Sequence, residues 1–262
     1  VEYARDAMRN INSEFCDGVD QCRYTARMHF REHCDFLKIM GGPGISCQGN
    51  KVFTREFSDD ELRAFVQEAE NFGTYVAIHA HAPVAINAAL RCGVKSIEHA
   101  SLIDDEGIEL MLKHDAWMVP TLATSYMSWQ HIDEREPWVK EKMTEIDEMK
   151  KGNLRKAYQA GVKICCGCDF GGGTITVHGN NGLELPLLVK ETGMSPMEAI
   201  VAATKTGAML MMRSDELGTL EPGKLADVII SKGDPLKDIW LVSQKENIKV
   251  VIQDGKVKKH IA

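Results

Sequence analysis

Nothing in this 262-residue sequence approaches the roughly eighteen consecutive apolar residues that a membrane-spanning helix needs. Val1 to Asn10 carry both charge signs instead of the apolar core of a secretory signal. A basic tract is also missing. The 31 Lys and Arg residues stand against 38 Asp and Glu, a net charge of −7, which argues against nucleic acid and anionic membrane as partners and points to a small molecule. The eight cysteines (16, 22, 34, 47, 92, 165, 166 and 168) lack the dense, regular spacing of a disulfide scaffold and read as reduced thiols of a soluble, cytoplasmic protein. Cys165 and Cys168 form a lone CxxC with no second ligand pair nearby, so they read as buried small hydrophobes. Internal repeats and low-complexity segments are absent.

What is there is 44% apolar residues, enough for one large domain or two ordinary ones. Short apolar runs alternate with longer amphipathic segments, the pattern of βα units and a mainly parallel sheet. The runs Asp35–Met40, Tyr75–His79, Ser96–His99, Trp117–Leu122 and Val162–Cys166 each have the length of a strand buried on both faces. Ser58-Asp-Asp-Glu61 is a capping box and predicts a helix from Asp59 to Asn71, stopped by Gly73. Ser195-Pro196-Met197-Glu198 repeats the device for a helix through Thr204, and Asp104 opens another that ends near His114. Glu134–Gln159 is highly charged and reads as a solvated helix pair on the surface. After Met212, short β-runs with Pro-Gly and Asp-Gly turns predict a small β-appendage. The expected domains are 1–212 and 213–262.

Four of the five strand ends finish on a residue able to hold a metal: Lys38, His79, His99 and Asp169. Taken singly, the lysine could snorkel to a rim, each histidine could be a satisfied core residue, and Asp169 could be a turn residue or helix cap. At successive equivalent positions they fit better together as a metal site, because parallel α/β barrels build active sites at the C-terminal strand ends. Imidazole and carboxylate suit zinc and similar cations. A lysine whose pKa is lowered in a dry, cationic pocket can take up carbon dioxide as a carbamate and so act as an extended carboxylate. His81, two residues after His79 and on the same strand face, lines the pocket, contacts substrate or packs. His29, His33, His114, His131 and His260 read as surface residues.

Asp17-Gly-Val-Asp20, Asp35-Phe-Leu-Lys-Ile-Met40 with Gly41-Gly42, His79-Ala-His81, Ser96-Ile-Glu-His-Ala-Ser101, Val119-Pro-Thr-Leu122, Gly167-Cys-Asp169 and Leu220-Glu-Pro-Gly-Lys-Leu-Ala-Asp227 occur in an order that resembles the amidohydrolase superfamily. The likeness is greatest to the branch of zinc-dependent Xaa-Pro dipeptidases, often labelled imidazolonepropionase-like. The resemblance implies a (β/α)8 TIM barrel with part of a β-sandwich appendage. It also implies two divalent metals, zinc by preference, bridged by carboxylated Lys38 and held by His79, His99 and Asp169. Tyr126 and His178 fall where that branch carries substrate contacts. The implied activity is cleavage of an amide C–N bond, in an Xaa-Pro dipeptide or N-acyl amino acid, by a metal-bridging hydroxide, with Asp169 carrying the proton. Lactam hydrolysis or deamination on the same barrel is the alternative within hydrolases. The family's first metal pair, His-x-His on the first barrel strand, has no counterpart, and the 37 residues before Lys38 read mostly as charged helix. The resemblance therefore implies an incomplete barrel, strands four to eight. Such a chain is either a non-catalytic fragment or one completed by an N-terminal segment or by homo-oligomerisation.

Overall fold

A computed structural model describes residues 14–49, 51–150, 152–171 and 174–261. The helical reading of residues 1–13 lies outside them. In chain order the main elements are α1 Val19–Arg31, β1 Leu37–Met40, α2 Asp59–Asn71, β2 Val76–Ala80, α3 Pro83–Arg91, β3 Ser96–His99, α4 Asp105–Lys113 and β4 Trp117–Val119. Then come α5 Leu122–Gln130, α6 Pro137–Met149, α7 Asn153–Gln159, β5 Lys163–Ile164, α8 Glu184–Thr192, α9 Pro196–Ala203, α10 Lys205–Leu210, β6 Val228–Ser231, β7 Ile248–Gln253 and β8 Lys256–His260. Among the described residues no helix is long and apolar enough to cross a membrane. The eight cysteines are free thiols.

Two compact units divide the chain, residues 1–118 with 136–153, and residues 119–135 with 154–262. In the first, β1, β2 and β3 pair in parallel, with Lys38 opposite Ala77, Met40 opposite His79, and His79 opposite Glu98. The next strand joins them where the Trp117 N–H donates to the Lys95 carbonyl at 2.8 Å. Every residue of β2 is buried, as expected of a central parallel strand. β1 departs from that expectation. Leu37 and Ile39 are buried, while Lys38 is exposed and Met40 partly so, and the whole strand borders a cavity of about 340 Å³ with Cys34, Phe36, Glu56 and Phe57.

The helix starts follow local chemistry. Ser58 and Ser195 each form a complete capping box, with Glu61 and Glu198 respectively, and the Asp104 side chain accepts the Gly107 N–H. α1 docks on α2 through Glu68, 2% exposed, which accepts from Arg23 at 2.9 Å and from Arg27 at 2.8 Å. Those hydrogen bonds, Arg27 first, hold the Glu68 carboxyl below its ordinary range.

The second unit contains β5, helices α8 to α10 and the antiparallel sheet β6-β7-β8. The expected strand Trp117–Leu122 stops at Val119. Pro120 has no N–H to give a ladder, Thr121 takes a left-handed φ of 53°, and α5 begins at Leu122. Its first amides are satisfied from a distance. Glu184 is fully buried and accepts the N–H groups of Leu122 at 2.8 Å and Ala123 at 2.7 Å. A small apolar cluster of Ala123, Phe170, Leu183 and Leu187 closes around the same turn.

Burial pushes the Glu184 carboxyl up from 4.5 to about 7, against the pull of its two backbone donors. Since the folded pKa lies above the unfolded one, the folded chain holds an extra proton between those values. The contribution of Glu184 to stability is therefore full below about pH 4.5 and is lost as pH rises through about 7. Urea unfolding of the parent and Glu184→Gln across that range should show the parent's advantage shrinking as pH rises. Parallel curves would contradict this account.

Candidate metal centre

The site is built on the C-terminal ends of β2 and β3. Residues opposite one another in register share a face, so Ala77 and His79 lie on the face of Lys38 and Met40 on one side and of Ser96 and Glu98 on the other. By register His99 pairs with Ala80 and belongs to the opposite face. Its ring nevertheless stands 4.4 Å from that of His79 and 4.8 Å from that of His81. The backbone accounts for this, because His99 and Ala100 take left-handed φ values of 70° and 48°, which turns the strand end over. Such values in non-glycine residues cost on the order of 1–2 kcal/mol each and cluster at functional sites.

One ligand atom from each of His79, His81 and His99 lies within 4.8 Å of the other two. Among the described residues this is the one group of His, Cys, Asp or Glu with such spacing. His79 and His81 are buried, and His99 is partly so. The His81 Nδ1 sits 2.9 Å from the Ser101 hydroxyl. The His79 Nε2 is buried without a hydrogen-bond partner. Burial lowers the His79 pKa to about 4, assisted by the Lys38 ammonium, and that of His81 to about 3, assisted by His79 and Lys142. His99 is held well below 6.5 by burial, then by His79, His81 and Lys38. Three neutral imidazoles, one with an orphaned Nε2, fit a divalent cation such as zinc.

The sequence-derived residues fall into two groups. His79, His99 and Lys38 belong to the first unit, with Lys38 exposed on β1 and close enough to raise the cost of protonating both histidines. His81 joins the imidazole cluster, a placement its i+2 spacing from His79 already signalled. Asp169, Tyr126 and His178 belong to the second unit. Asp169 is exposed beyond β5 with a φ of 54°, and its carbonyl accepts from the Thr124 hydroxyl at 2.9 Å. Tyr126 packs on the Phe170 cluster, and His178 is exposed. Sequence reasoning missed Lys142. It sits in a charged run read as solvated surface, yet it is only 8% exposed and lies near enough to influence His81. No sequence signal separated it from its charged neighbours.

Residues 2–258 match the amidohydrolase family. The chain is 33% identical over 248 residues to ochratoxinase of Aspergillus niger, covering 93% of this chain and 50% of that protein. It resembles the crystal structure of an Xaa-Pro dipeptidase with methionine bound in the active site, at 32% identity and a TM-score of 0.83, covering 93% of this chain and 59% of that one. A prolidase complexed with N-methylphosphonate-L-proline gives 31% identity and a TM-score of 0.87, covering 94% and 60%. The chain thus spans about half the length of the curated relative it matches at 33% identity. With a family match running almost from end to end, the chain belongs to the amidohydrolase family.

Proposed function

We propose that this chain contributes to a metal-dependent hydrolase that cleaves an amide C–N bond, acting on Xaa-Pro dipeptides or N-acyl amino acids. The observation that carries the reading is the trio of neutral imidazoles at parallel strand ends, with ligand atoms within 4.8 Å of one another. The bound methionine and the proline phosphonate named for two of the similar structures favour dipeptide-like substrates.

In this reading His79 and His99 hold the cation. Lys38, carboxylated on its amine, and Asp169 complete the ligand set that the family resemblance assigns. A divalent cation bound there supplies Lewis acidity, polarising the scissile carbonyl and acidifying water. The chain's own groups do the rest. Asp169 accepts a proton from the attacking water and returns it to the departing nitrogen, so that water adds across the broken C–N bond. His81, Tyr126 and His178 contact the substrate. Burial keeps the histidines unprotonated at neutral pH, so the donors need not shed protons before binding a cation.

Hydrolysis of an Xaa-Pro panel by the purified protein should fall at least roughly tenfold with a chelator, return with zinc, and fall similarly in Lys38→Ala. Equal rates in all three conditions would reject the reading. A second expectation concerns the chelated protein. The folded pKa values of His79 and His81, about 4 and about 3, lie below the ordinary 6.5. Their share of stability is therefore present above about pH 6.5 and is lost as pH falls toward those values. Unfolding of the chelated protein at stepped pH should show this loss, and His79→Asn should show less of it. An unaltered pH slope in that variant would count against neutral histidines in the metal-free fold.

A further inference from the structure

The turn after β1 touches the imidazole cluster on one side and is gripped from the other. It leaves the strand at Gly41, whose N–H donates to the His79 carbonyl at 3.0 Å. A Cβ at Gly41 would lie 2.3 Å from the Ile78 Cδ1, so only glycine passes there. After Pro43, Gly44 runs close enough to the His79 ring that a Cβ on it would meet Cε1 at 3.9 Å and Nε2 at 4.0 Å. The Cys47 N–H donates to the Gly44 carbonyl at 3.1 Å, closing the turn.

The grip comes from α6, about a hundred residues later in the same compact unit. Lys142 donates from Nζ to the Cys47 carbonyl at 2.5 Å and reaches the Gly44 carbonyl at 3.5 Å. One turn earlier on the same helix, the Trp138 Nε1–H donates to the Ser46 carbonyl at 3.3 Å. Val139, Met143 and Ile146 already bury the helix by apolar contact, with Ile146 packed in a cluster with Val52 and Leu102. A buried ammonium is expensive, and packing alone does not call for one here. Two carbonyls of a single turn are what it satisfies.

We propose that Lys142 is a positioning residue for the metal centre: it fixes the 43–47 turn, and the turn fixes the His79 ring that packs against it. The inference rests on His79 being a metal ligand. Groups that orient a ligand in this way typically contribute about 10- to 100-fold to metal affinity.

The test reads cation affinity and tautomer, without turnover. The purified parent, Lys142→Met, Trp138→Phe and the control Lys140→Met, an exposed lysine of the same helix, are titrated with Co²⁺ by visible absorption against a competing chelator. Imidazole ¹⁵N–¹H spectra of the metal-free proteins report which nitrogen of His79 carries the proton. Affinity should fall about 10- to 100-fold in Lys142→Met, and by less in Trp138→Phe, while Lys140→Met matches the parent. The His79 proton should occupy one nitrogen in the parent and become shared between the two in Lys142→Met. A folded Lys142→Met with parental affinity and an unchanged tautomer overturns the proposal. If that variant fails to fold, Trp138→Phe decides by the same two readouts. A parent that binds no Co²⁺ instead removes the metal reading itself, a failure visible without any variant.

Discussion

Three imidazoles can share one small buried volume only if they are uncharged, and that constraint shapes the protein around β2 and β3. Protonating any one of them would set a charge in a low-dielectric site, within reach of two further titratable rings and the Lys38 ammonium. The fold answers with burial. β2 is buried along its whole length, and His81 and Ala82 just beyond it are buried too. Neutrality then has to be directed, because a neutral imidazole offers a lone pair on only one nitrogen. The His79 Nε2 is buried without a hydrogen-bond partner, while the His81 Nδ1 sits 2.9 Å from the Ser101 hydroxyl, so the two rings meet different surroundings. Water offers no such asymmetry. Three closely spaced neutral imidazoles have donor atoms of the kind a divalent cation accepts.

Legibility in the sequence followed the range of the interactions. Where structure is set within four residues it could be read directly: the Ser58–Glu61 box opens a helix that runs from Asp59 to Asn71, and Ser96–His99 is a strand with the expected limits. The limits of Trp117–Leu122 were misread because the run is apolar throughout, while Pro120 and the left-handed Thr121 end the strand and a distant carboxylate starts the helix. Of the four strand-end residues singled out, Lys38, His79, His99 and Asp169, the imidazole cluster holds His79 and His99. Strand-end logic could not show that His99 reaches the cluster only by breaking the face that its register assigns. Lys142 was invisible for the opposite reason: among Lys140, Glu141 and Glu145 it looks like any solvated residue, and only the packing of α6 buries it.

The second unit handles its own turns by the same principle. Two of its left-handed residues, Thr121 and Asp169, are tied by side chains remote in sequence. Glu184 occupies the amides just after Thr121, and the Thr124 hydroxyl reaches the carbonyls of Cys168 at 2.5 Å and Asp169 at 2.9 Å. A hydroxyl has one proton, so it donates to these two carbonyls in alternation or in a shared bond. Either arrangement holds the Gly167-Cys-Asp169 turn against α5 and keeps the Asp169 backbone in a conformation that an unconstrained aspartate leaves.

Backbone strain and remote anchoring are therefore two aspects of one requirement. A residue held at positive φ costs about 1–2 kcal/mol, and the fold keeps it only where neighbouring contacts over-determine it. At His99 and Ala100 the contacts are ladder bonds, since the Ala100 N–H donates to the Ala80 carbonyl at 3.0 Å. At Thr121 and Asp169 they are side chains from α8 and α5. At the Pro43 turn, whose glycines are not at positive φ, the anchor is a buried charge. Local propensity would undo each of these arrangements. The residues that prevent it are drawn from helices whose own sequences carry no mark of the task, which is why the histidines can be picked out at strand ends while these remote contacts emerge only from the packed structure.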